Sequence, residues 1–409
     1  MKQFRGAFFL FFLLLPLLVA AQYSDLRIDP NTKRVDIPFE YRNGFIVVNV
    51  TLNNVLPLKF ILDTGAEHTI ITERKVTDLL NLAYERRLTI MGADLSTELY
   101  AYLARGVSLQ VGQVAGLNRS ILILEQDYIQ FEAITGLQIH GILGSDFFRR
   151  FILKVDYQQR LVSLYDPQFF VRPEGFKKLD IEIYRNKPYL TAQVNFQKDT
   201  VRQLKFLIDT GASLPLLLET NTNPRLRLPE HVVPSQLGIG LGGHLEGYLG
   251  RVDALSFADL RFQQVITNFQ DLSGVLDSTI TANRNGIIGN DILSRFTLII
   301  DYFREDLYLR PNKKYDDEFK FDRSGMQIIA SGEYLNTFIV FNVLPDSPAF
   351  HAGIKPGDEI LSVNFLSTNF MTLGSLTAKF QKKEGKKMRL KIRRRTEKIK
   401  FFFRLEDII

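Results

Sequence analysis

The sequence predicts a mainly β chain in which two homologous lobes, related by a pseudo-twofold axis, precede a smaller third domain. Three observations carry this prediction. An Asp-Thr-Gly-Ala motif occurs at Asp63 and again at Asp209, a spacing of 146. A second block, GILGSDFFRRFILKVDY from Gly141, returns as GIIGNDILSRFTLIIDY from Gly286, a spacing of 145. The stretches between are rich in Phe, Tyr, Val and Ile and are punctuated by turn residues, as in FIVVNVTL, RLVSLYDP and DLYLRPN. Two ordered blocks at a nearly constant offset mark a duplication.

Length and composition set the outer limits. The 409 residues exceed what one core accommodates, and 45% hydrophobic with 23% charged residues is ordinary globular composition. Residues 1–21 carry Lys2 and Arg5 ahead of an apolar run and end in Val19-Ala20-Ala21, the pattern of a secretory signal peptide. The expectation is an exported chain, periplasmic or secreted, with no membrane span after cleavage. The sequence has no cysteine, which excludes a disulfide scaffold, a lipid-anchored lipoprotein and a thiol protease. The net charge of +6 arises largely in the segment Lys379 to Lys400, where basic and apolar residues alternate as on a strand with one wet face. Nucleic acid is not an expected partner.

In chain order, residues 22–170 form the first expected lobe and 171–312 the second. A charged, exposed linker is expected over 313–322, and a third domain over 323–409. Ser145 and Asn290 follow a Gly-apolar-apolar-Gly stretch in each lobe and read as N-caps of helices of about two turns. In the third domain, a helix is expected from Ser347-Pro348, a turn at Pro356-Gly357-Asp358, a helix over Leu373 to Gln381, and a final basic strand.

Each Asp-Thr-Gly ends an apolar run, FIL before Asp63 and FLI before Asp209. Taken alone, each is equally well read as an Asx-type turn. Taken together, two lobes can bring Asp63 and Asp209 into contact, where they share a proton. Such a pair activates a water held between the carboxyls and needs no metal, thiol or cofactor. Thr64 and Thr210 are placed to bond across the lobes, and Gly65 and Gly211 to let the backbones approach. The five histidines are scattered, and His68 and His140, which flank the blocks, read best as structural.

These motifs resemble the aspartic proteases, and DTGAEHT with GILGSDFF resembles the retropepsin-like branch. The resemblance implies an aspartic endopeptidase acting on polypeptides, with Asp63 and Asp209 catalytic and Thr64 and Thr210 forming the cross-lobe grip. Both halves lie in one chain, so dimerisation is not required. It also implies a β-hairpin flap, for which TIMGADLSTELY around Gly92 and the stretch Gly238 to Gly243 are the candidates. The lobes differ, with Glu67 after the first motif and Ser213 after the second, so the two sides of a cleft are not expected to be equivalent. The segment LPDSPAFHAGIKPGDEILSVN resembles PDZ domains of bacterial periplasmic proteases, which implies a peptide ligand added as a strand. Its carboxylate would fall on Gly325, Met326, Gln327 and Ile328. A different class of function, a peptide-binding scaffold without turnover, would be marked by loss of one Asp, and both are present.

Overall fold

The computed structural model describes residues 25–27, 32–92, 97–196, 200–240, 243–272 and 284–409. The expected signal segment lies outside them. Each lobe is a twisted sheet with the same internal design. In the first, strand Leu56–Leu62 runs parallel to Gly141–Leu143, with Gly141 opposite Phe60. In the second, strand Thr200–Ile208 runs parallel to Gly286–Ile288, with Gly286 opposite Phe206. The glycines are required by close approach. A Cβ on Gly141 would lie 2.5 Å from the Ile70 carbonyl oxygen, and one on Gly286 would lie 1.9 Å from that of Leu217. Each lobe therefore threads its second block directly beside the strand that delivers its Asp.

The lobes are joined by a sheet to which both contribute. Its order is Lys177–Asp180, Asp306–Pro311, Phe296–Asp301, Ile152–Asp156, Leu161–Tyr165 and Arg34–Pro38. At its centre the two copies of the second block's strand meet antiparallel, Ile152 opposite Asp301 and Asp156 opposite Thr297. One continuous apolar core runs through both lobes, with Phe60, Phe147, Phe148, Phe206 and Phe296 fully buried. Burial of each such ring removes roughly 1.5–3 kcal/mol worth of apolar surface from water. The lobes are thus held as one unit.

Two expectations are corrected. The helices after the glycine blocks are single turns, Ser145–Phe148 and Asn290–Leu293, and Gly144 and Gly289 stand at their N-caps. Ser145 and Asn290 are the first helical residues, and their side chains serve other partners, described below. The segment 313–322 is not a free linker. Phe319 and Phe321 are buried in the core of the lobes, and the Arg295 guanidinium lies 3.9 Å from the Phe319 ring centroid.

The third domain has its own core, built around Phe338, Leu376, Phe380, Leu390 and Ile392. Its sheet runs Met326–Ser331, Thr337–Val343, Glu359–Val363, Lys387–Arg394, Glu397–Arg404. Helix Pro348–His351 is capped by Ser347, whose hydroxyl accepts from the Phe350 amide. Helix Leu373–Phe380 carries a capping box between Thr372 and Ser375. No helix among the described residues is long and apolar enough to cross a membrane.

Candidate active site

The two Asp-Thr-Gly loops meet between the lobes. Asp63 donates its backbone amide to Leu143, the last residue of the neighbouring parallel strand, and Asp209 does the same to Ile288. Behind them the threonines exchange hydrogen bonds. The Thr64 amide donates to Thr210 Oγ1 at 3.0 Å, and the Thr210 amide to Thr64 Oγ1 at 3.0 Å. Each hydroxyl then donates to the opposite strand, Thr64 to the Ile208 carbonyl at 2.7 Å and Thr210 to that of Leu62 at 2.8 Å. All four bonds are buried, so each threonine is satisfied only while the lobes stay together.

The glycines bring the carboxyls into contact. A Cβ on Gly65 would fall 2.7 Å from the carboxyl carbon of Asp209, and one on Gly211 would fall 2.3 Å from that of Asp63. Gly65 and Ala66 donate their amides to Asp63 Oδ1 at 2.7 and 3.0 Å, and Gly211 donates to Asp209 Oδ1 at 2.7 Å. These amides fix the orientation of both side chains.

Burial raises Asp63 well above the ordinary carboxylate range, and the charge of Asp209 raises it further. Burial also raises Asp209. Opposing that, the hydrogen bond from Asp63, the Gly211 amide, and the charges of Arg284 and Lys187 hold it down. Both carboxyls are thus raised and coupled, so the pair holds one proton between them over a range of pH. Such an arrangement couples a base and an acid at one point.

Several residues around the site were not singled out from the sequence. Asn290 donates to the carbonyls of Thr210 and of Gly44, the latter at 2.7 Å, and accepts from Tyr157 of the first lobe at 2.6 Å. Its counterpart Ser145 donates to the Ala66 carbonyl at 2.9 Å, and the Tyr302 hydroxyl that corresponds to Tyr157 is buried with no partner among the described residues. Arg284 binds Glu219 Oε1 through two nitrogens at 2.7 and 3.0 Å. Lys187 is partly buried where the charges of Glu67, Asp209 and Asp63 all act on it. His140 Nδ1 accepts from the Lys59 amide at 3.2 Å, a structural role, and His68 is exposed.

Both flap candidates fall at hairpin tips. Strands Tyr84–Met91 and Glu98–Val111 pair, and the Gly92 amide donates to the Thr97 carbonyl at 2.8 Å. Strands Val232–Gly240 and Gly243–Phe257 pair up to Gly240 opposite Gly243. Residues 93–96 and 241–242 between these strands lie outside the described residues.

In the third domain, the loop ahead of Met326–Ser331 already holds a carboxylate. Asp322 accepts from the amides of Ser324 at 2.8 Å and Gly325 at 3.1 Å. Gly325 has φ +78, and a Cβ there would strike Ser347. The groove between that strand and helix Leu373–Phe380 faces the lobes across a cavity of about 740 Å³, shared with Tyr41, Gly44 and Ser213. Gly136 of the first lobe approaches the third domain, its Cβ position 3.5 Å from Leu373 and 4.0 Å from Ala330. Gln327 donates to the carbonyl of Gln236, on the second candidate flap hairpin.

Comparison with known families matches three stretches of the chain. The aspartyl protease family model matches residues 48–147 and again residues 191–292. A PDZ domain model matches residues 339–394. No curated protein matches the chain.

Proposed function

We propose, from the premise that this chain carries two retropepsin-like aspartyl protease domains and a C-terminal PDZ domain, that it is an exported single-chain aspartic endopeptidase. The observation that carries the reading is the contact between two buried carboxyls, both raised by burial and oriented by the Gly65, Ala66 and Gly211 amides.

In this mechanism a water lies between the carboxyls. Ionised Asp209 takes its proton as the oxygen attacks the peptide carbonyl carbon, while Asp63 gives its proton to the carbonyl oxygen. A tetrahedral diol results. Asp209 then returns its proton to the amide nitrogen, the C–N bond breaks, and one diol hydroxyl gives its proton back to Asp63. The pair ends in its starting state. The threonine grip keeps the carboxyls registered, since misplacement of about 1 Å costs on the order of 10²-fold in rate.

Export rests on the signal-like residues 1–21, and a peptide ligand at the third domain rests on the PDZ match. The test is digestion of a mixed peptide library by the chain from Gln22 onward, with Asp63→Asn and Asp209→Asn in parallel. Loss of cleavage in both folded variants supports the dyad. Cleavage that survives either substitution overturns it, and a folded wild type that binds peptides without cleaving them favours a scaffold.

A further inference from the structure

The last hairpin of the third domain is separate from the dyad and has an unusual outer face. Strands Lys387–Arg394 and Glu397–Arg404 pair as Lys387 with Arg404, Arg389 with Phe402, Lys391 with Lys400, and Arg393 with Lys398. Alternation puts these eight side chains on one face, while Met388, Leu390 and Ile392 enter the core from the other. Seven of the eight are Lys or Arg, and three cross-strand pairs set like charge against like. Such pairs destabilise a sheet. The neighbouring strand supplies Glu359 to Arg393 at 3.0 Å.

A second observation adjoins the first. Asn364 and Phe365 form the turn before strand Leu366–Ser367, with φ +48 and +71. That conformation suits Asn and Gly, and a bulky residue there is strained. Phe365 is nevertheless 78% exposed, so its ring contributes nothing to the core. The Arg389 guanidinium lies 4.1 Å from its ring centroid and 5.7 Å from that of Phe402, which joins the aromatic turn to the basic face. Leu366 and Phe402 are 58% and 66% exposed.

We infer that this face docks on an anionic lipid surface, the cations meeting headgroups and Phe365, Leu366 and Phe402 entering the acyl boundary. A headgroup layer uses both features at once, whereas an acidic polypeptide would neutralise the cations and leave the rings in water. The inference is independent of the proposed catalysis.

The test is sedimentation of the full chain with vesicles of phosphatidylcholine, with and without phosphatidylglycerol. The chain is expected to partition onto the anionic vesicles and to leave them at high salt. Lys391→Gln with Lys400→Gln should weaken partitioning by tenfold or more, at about fivefold per cation. Phe365→Gly should weaken it as well while holding or raising the melting temperature, because glycine relieves the turn. A lower melting temperature with unchanged partitioning would make Phe365 structural and overturn the inference. So would equal binding to pure phosphatidylcholine, absence of partitioning, or binding to polyglutamate as tight as to vesicles and insensitive to Phe365→Gly, which would assign the face to acidic polypeptides.

Discussion

Lys187 stands in the second lobe where Phe45 stands in the first. Phe45 opens a strand whose Val47 lies opposite Ile61, and Lys187 opens a strand whose Tyr189 lies opposite Leu207. Ile61 and Leu207 each precede their lobe's Asp by two residues. Ile139 and Arg284 make a second such pair, each two residues before the first glycine of the second block. In the first lobe, Phe45 and Ile139 belong to an apolar cluster that also includes Phe131, Ile142 and Ala66. In the second, the same two places are cationic.

The wall on the second-lobe side should therefore favour an acidic substrate side chain, and the opposite wall an apolar one. Matched peptides carrying Glu or Leu at the position bound by the second lobe measure this directly. The Glu peptide is expected to have the higher kcat/KM, and Lys187→Phe should reverse the order by about tenfold or more. Discrimination unchanged by Lys187→Phe would remove Lys187 from the substrate contact. Arg284 is the poorer target for this purpose, because removing it strands buried Glu219 at a cost of about 3–5 kcal/mol.

The same lysine should bear on the acid side of the pH profile. Asp209 must be ionised to act as base, and the Lys187 charge is among the influences that hold it down against burial. Lys187→Ala removes that influence, so Asp209 titrates at higher pH and the acid limb of kcat/KM should move upward. The basic limb, where Asp63 loses its proton, reports the other member of the pair. An acid limb that stays in place would mean that Lys187 does not act on Asp209 in solution.

The threonine grip should behave as a structural bond with a catalytic consequence. Thr210→Val keeps the shape but leaves the Thr64 amide and the Leu62 carbonyl without their partner. Each buried group so orphaned costs about 1–3 kcal/mol. Denaturant unfolding should register that loss together with a fall in kcat, and Thr210→Ser should restore most of both. Wild-type stability in the valine variant would show that the lobes are held without the grip.

The duplication, the two aspartates and their threonine and glycine supports were legible because short motifs carry them and the repeat is nearly unshifted. The place of Lys187 against Phe45 was hidden by a one-residue slip. Tyr41-Arg42-Asn43 and Tyr184-Arg185-Asn186 align by sequence, which sets Lys187 against Gly44. In the structure the first hairpin turns on Asn43 and Gly44, the second on Arg185 and Asn186, and the sheet register sets Lys187 against Phe45 instead. Sequence spacing cannot reveal such a slip, because it is decided by which residues take the left-handed turn. The segment 313–322 misled for a related reason. Its charges suggest solvent, yet Phe319 and Phe321 at spacing two are enough to seat it on the core. Asp322 was likewise passed over, since only the folded loop brings it onto the amides of Ser324 and Gly325.

Asp322 supplies a stability prediction whose sign is fixed. Burial pushes its carboxyl up to about 6 from an unfolded value of 3.8, although the Ser324 hydroxyl and the amides of Ser324, Gly325 and Met326 pull it down. The folded state thus holds the proton more tightly than the unfolded chain, so this group's contribution is full below about pH 4 and falls away as pH rises to about 6. Asparagine offers the same acceptor oxygen with no charge to bury. Asp322→Asn should match the wild type in acid, gain on it between pH 4 and 6, and end more stable at pH 7 by up to about 3 kcal/mol. With the Ser324 and Gly325 amides taken in this way, a peptide with a free C-terminus and its amidated twin should bind the full chain equally well. Calorimetry settles both points: a variant less stable at pH 7, or a strong preference for the free acid, would mean that the ionised Asp322 leaves its amides and opens them to a ligand.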